Sequence, residues 1–162
     1  MNLRLRIRSA VPLVLGLFLL TFAPAAEPYR VGSVVAPFSA KDQHGEPFKL
    51  GADCRALMVS FDMATGKQAN AKLSALGRDF LPQRHAIYVA NIHGMPAIGR
   101  AFALPKMRGY AHRIVLADDD TLLAPFPRQE KRITVLGLRA GKVVSIRFWN
   151  PETEDAAKVL AP

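Results

Sequence analysis

Apolar positions along this chain fall into short runs separated by polar turns, and strand-like and helix-like spacings alternate. Residues 56–61 are an unbroken apolar or small run, of the length of a strand covered on both faces. Ala71, Leu73, Ala75, Leu76 and Phe80 then recur at helical spacing and predict a helix over 68–80. Between the two, Asp62-Met63-Ala64-Thr65-Gly66-Lys67 predicts a polar turn at the carboxyl end of the strand, where α/β proteins place their chemistry.

The rest of the pattern extends this frame. Residues 38–41 and 46–50 predict short strands joined by the turn Asp42-Gln43-His44-Gly45. Residues 86–92 predict a strand ended by His93-Gly94, after which Met95-Pro96 opens a helix through Ala103 that Leu104-Pro105 closes. A third internal strand is predicted over 113–117, with three aspartates at its end and a proline-punctuated loop over 122–127. Residues 132–138 and 143–149 predict a hairpin turning at Gly141. A final helix is predicted over 151–160, with Glu152, Glu154 and Asp155 in its first turn, where the helix dipole favours acids.

Residues 1–25 read differently. Arg4, Arg6 and Arg8 form a basic start, residues 11–22 are an apolar core of secretory rather than membrane-spanning length, and Ala23-Pro24-Ala25 supplies a small-residue cleavage pattern. The expectation is a signal peptide cleaved after Ala25, one domain over 26–162, a periplasmic or secreted location, and no stable membrane insertion after cleavage. Cleavage removes three bases and no acid, leaving 19 bases against 13 acids, net +6. Those bases are dispersed among apolar positions without an aromatic-plus-basic signature, so nucleic acid is not an expected partner. Cys54 is the single cysteine of the chain and excludes an intramolecular disulfide.

Two stretches carry a resemblance. Phe61, then Ala64-Thr65, then the opening of a helix is similar to the F-W-A-T-W-C-x-x-C segment of periplasmic thiol-disulfide oxidoreductases. Residues 31–45 contain V-G-x-x-x-A-P-F-x-x-x-D-x-x-G, which resembles the N-terminal hairpin of thioredoxin-like families, peroxiredoxins among them. The chain is thus identified as a degenerate member of the thioredoxin-like superfamily. The resemblance implies a three-layer α/β/α sandwich with an N-terminal β-hairpin, a central mixed sheet and a C-terminal helix. With one extra residue after Phe61, the family's cysteines fall on Lys67 and Asn70, and its cis-proline on Ile133. A non-proline cis bond costs about 3 kcal/mol or more, so cysteines and proline are lost together.

The expected function is therefore a redox-inactive domain that binds an envelope protein or small ligand. Its candidate site is Asp62, Met63, Gly66, Lys67, Asn70, His93, Met95 and Ile133, with Asp62, Lys67 and His93 lining one depression. Asp62 has a structural reading too, as a cap of the turn or a partner of Lys67. One charge pair falls short of an acid–base mechanism, and an enzyme using Asp62, Lys67 and His93 is the alternative. A copper carrier using His93 with Met63, Met95 and Met107 is a further one. No P-loop, G-x-G-x-x-G or G-x-S-x-G word is present, so nucleotide and flavin cofactors and a serine nucleophile are not indicated.

Overall fold

A computed structural model describes residues 26–161; the predicted signal segment lies outside them. The elements are β1 (Ser39–Asp42), β2 (Pro47–Lys49), β3 (Ala56–Ser60), α1 (Met63–Ala75), β4 (Ala86–Asn91), α2 (Ala97–Arg108), β5 (Val115–Ala117), α3 (Asp120–Leu123), β6 (Ile133–Arg139), β7 (Lys142–Trp149) and α4 (Ala156–Val159). They build one mixed sheet in the order β2-β1-β5-β4-β3-β6-β7. The inner strands β5, β4 and β3 are parallel, and the two flanking hairpins are antiparallel.

Alternation along the strands divides the core. Leu57, Val59, Val89, Val115 and Leu136 face one side, where Leu123, Phe126, Val35 and the partly buried Tyr29 cover them. Met58, Tyr88, Ala90, Ile133 and Val135 face the other and pack with Ala69 and Leu73 of α1 and Ala156 of α4. The crossovers β3-α1-β4 and β4-α2-β5 step in the same direction across the sheet. Being right-handed, they lay α1 and α2 side by side on the second face.

Helix boundaries depart from expectation in four places. Asp62 to Lys67 is not a turn: Asp62 is the N-cap, its Oδ1 accepting from Thr65 N at 2.8 Å, and Met63 to Lys67 are already helical. Helix α1 stops at Ala75 because Gly77, at φ +87°, turns the chain away, which leaves Phe80 beyond its end. Pro105 does not close α2, which runs on to Arg108. The proline removes the bond to the carbonyl of Ala101, but both residues are exposed, so water can reach the freed oxygen. The last helix is shorter than predicted, because Asp155 caps it by accepting from Ala157 N. Glu154 lies before it, accepting from Asn150 N and pairing with Arg132.

The hairpins agree with the sequence reading. Ala140 and Gly141 both adopt positive φ, +48° and +74°, as a two-residue turn matching strand twist requires. In the first hairpin, Asp42 Oδ1 accepts from His44 N and Glu46 N. The predicted 122–127 loop begins inside the short helix α3, which takes in Leu122 and Leu123 and is capped by Asp119 accepting from Thr121 N.

Candidate functional site

At the carboxyl ends of β3 and β4 the sheet opens into a groove of about 310 Å³ between α1 and α2. Ser60, Ala90 and Asn91 form its floor. Asp62, Met63, Gly66, Lys67 and Asn70 supply the α1 wall, and Met95, Gly99, Phe102, Ala103, Lys106, Met107 and Tyr110 the α2 side. The volume sits at the small end of the ~300–1,000 Å³ usual for ligand pockets.

Its two walls differ in how firmly they are held. Helix α1 packs onto the sheet through Ala69 and Leu73, and a Cβ at Gly66 would come within 3.3 Å of Ser60 Oγ. Helix α2 has no buried residue; near its C-terminus, Met107 and Tyr110 lean partly onto the core. Its first turns are tied down by Arg100, which donates to the carbonyls of Met95 and Ile92 and pairs bidentately with Asp118. That guanidinium holds the Asp118 carboxyl below its usual range. Two large apolar side chains of α2 stay in water, Ile98 at 72% and Phe102 at 76% exposure.

Beneath the groove lies a set of buried polar groups. Tyr88 Oη donates to Ser60 Oγ at 2.9 Å, and its burial pushes the phenol well above its ordinary value. His112 Nε2 lies 3.0 Å from Asn70 Oδ1, which assigns the proton to Nε2. Burial pushes His112 down to about 4, so the ring is neutral near pH 7. Its Nδ1 is enclosed and has no hydrogen-bond partner among the described residues.

Of the residues singled out by sequence, Asp62, Met63, Gly66, Lys67, Asn70 and Met95 line this groove together. His93 does not: its Nδ1 lies 3.3 Å from the carbonyl oxygen of Asp118, outside the lining. Ile133 is fully buried in the core, and the turn before it contributes nothing to the groove. Among the described residues no peptide bond is cis. Asp62 and Lys67 form no ion pair among those residues. The positions aligned with the family's cysteines lie inside α1, Lys67 exposed and Asn70 buried. The α2 side was missed except for Met95 and Met107. Its signal was the helical spacing of Phe102, Lys106 and Tyr110, hidden when Pro105 is read as a helix end.

Cys54 lies at the opposite end of β3. Its thiol donates to the carbonyl of Ala56 at 3.4 Å, and burial pushes it up to about 11. A larger depression of about 840 Å³ at that end is bordered by Arg55, Arg139 and Arg147. Arg147 there already donates to the carbonyls of Val159 and Ala161, and the depression is remote from the strand ends that carry the groove.

Among solved structures, the chain is similar to the thioredoxin domain of a thiol-disulfide oxidoreductase from Bacteroides vulgatus, with TM-score 0.52 and 15% identity over 82% of this chain and 99% of that one. It is also similar to a protein described as thiol:disulfide interchange protein DsbE from Chlorobium tepidum, with TM-score 0.57 and 13% identity over 81% and 94%. The fold is thioredoxin-like. A peroxiredoxin-like protein from Aquifex aeolicus shares it at TM-score 0.55 and 9% identity, over 84% of this chain and 86% of that one. No protein-family model and no curated protein matches the chain. The thioredoxin-like resemblance read from the sequence therefore agrees with the observed fold. Within that fold, the groove occupies the edge to which the resemblance assigns the thiol pair.

Proposed function

We propose that this chain is an exported thioredoxin-like module without thiol chemistry, which binds a partner or small ligand in the groove between α1 and α2. One observation carries the reading: at the edge where the resemblance puts a redox pair, an apolar groove stands open, with Met63 62% and Phe102 76% exposed. Apolar side chains gathered around one opening mark a candidate binding surface. The single cysteine gives no route to an internal disulfide, and Cys54 is buried away from the groove.

Export rests on the basic start, apolar core and small-residue site of residues 1–25. Among the described residues no helix is long and apolar enough to cross a membrane. The reading predicts a mature N-terminus at Ala26, which mass spectrometry of the purified protein checks.

Binding is tested by placing a photo-crosslinking amino acid at Phe102 in cells, and in parallel at Val144, an exposed position on the far hairpin. A discrete adduct from Phe102 and none from Val144 supports the groove. Equal adducts from both, or none from Phe102, refute it.

A further inference from the structure

Resting on the groove reading above, we infer that the occupant is a small amphipathic anion: an apolar chain ending in a carboxylate. The body of the groove is soft and apolar, with Met63 on the α1 wall and Met95, Phe102 and Met107 on the α2 side. Methionine-lined surfaces adapt to flexible apolar chains rather than to one rigid shape.

The polar groups offered to an occupant are nearly all donors. Asn70 is 97% buried, at 3% exposure, and its Oδ1 is taken by His112. Its Nδ2 makes no hydrogen bond within the described residues. The enclosed unpaired side-chain atom there is His112 Nδ1 and not Asn70 Nδ2, so Nδ2 is reachable from outside. Asn70 lines the groove.

Lys67 and Lys106 stand exposed on opposite walls, and neither enters an ion pair among the described residues. The one acid in the lining, Asp62, is engaged as the N-cap of α1, whose first turn carries no acid of its own. Two ammonium groups and one amide donor border a small apolar space. A cationic head would be repelled by the two lysines and a neutral one would leave their charge unpaired, whereas a carboxylate matches both the charge and the amide donor. The same charges oppose a symmetric dimer through this face, since it would bring the lysines of two copies together.

The test uses octanoate, octylammonium, 1-octanol and acetate as probes against the mature chain, by calorimetry and by NMR of side-chain amides. Octanoate should bind at least tenfold more tightly than octylammonium and shift the Asn70 amide, while acetate leaves that signal unmoved. The double variant Lys67→Gln/Lys106→Gln, both changes at the surface, should weaken octanoate at least tenfold and leave 1-octanol within twofold. Equal binding of octanoate and octylammonium, an unchanged double variant, or octanoate shifts centred away from Asn70 would each overturn the inference. If no probe binds while the Phe102 crosslink still forms, the anion assignment falls and the groove reading stands. If both fail, the groove itself is refuted.

Discussion

Lowering the pH should destabilise this fold through one residue, His112, in a window separate from carboxylate titration. Its folded value of about 4 lies below the ordinary 6.5 because burial penalises the charged ring. The unfolded chain therefore takes up the proton first as pH falls. The stability associated with the neutral ring is complete above pH 6.5 and is lost progressively down to about pH 4. Linkage gives a loss of about 2 kcal/mol between pH 7 and pH 5, rising to about 3 kcal/mol below pH 4. Asp42, Asp118 and Asp119 are held below 3.8 by their hydrogen-bond partners, so their contributions are lost mainly at lower pH still. The assay is urea unfolding at half-unit pH intervals from 7.5 to 5. With a slope of about 2 kcal/mol per molar, the wild-type midpoint should fall by about 1 M between pH 7 and pH 5. His112→Gln keeps an amide donor for Asn70 but cannot titrate, and its midpoint should vary far less. A flat wild-type profile, or an equal slope in His112→Gln, would refute the reasoning.

Other expectations follow from local contacts. Asp62→Ala removes the N-cap of α1 and should cost about 1 kcal/mol, read as a lower unfolding midpoint without a changed slope. Asp118→Asn breaks the bidentate pair with Arg100; global stability should drop by less than about 1 kcal/mol, because the pair is half exposed, while amide exchange over 97–102 should speed up. Iodoacetamide should label Cys54 slowly in the native chain at pH 7.5 and rapidly in urea, since the thiol is buried and pushed up to about 11. Insulin reduction with dithiothreitol should match the buffer control.

The sequence made the sheet legible because its strands are marked twice, by apolar alternation and by turn chemistry. Ala56 to Ser60 needs apolar groups on both faces, and Ala140-Gly141 supplies the two positive φ values of a tight hairpin. Helix ends were less legible where a residue served packing rather than the backbone. Gly66 looks like a turn glycine, yet it sits inside α1 and is small because Ser60 and Tyr88 press against it. Pro105 looks like a helix stop, but on an exposed helix the carbonyl it frees can turn to water.

The groove was half visible for the same reason. Asp62, Lys67 and Met95 could be placed at one edge from strand order alone. Which side chains turn inward depends on contacts distant in sequence: Arg100 with Asp118 anchors α2, and His93 turns toward the Asp118 carbonyl instead of the groove. Ile133 illustrates the limit of counting along a strand, since strand alternation points its side chain into the core with Val135 and Trp149.

The claim that binding is the work of this module, and that it occurs between α1 and α2, is tested most directly by NMR. The labelled chain would be titrated with the small-molecule and protein fractions of a cell-envelope extract. The account predicts that saturable shifts cluster over 62–70 and 95–107. Saturable shifts centred instead on Arg55, Arg139 and Arg147, at the opposite end of β3, would contradict it.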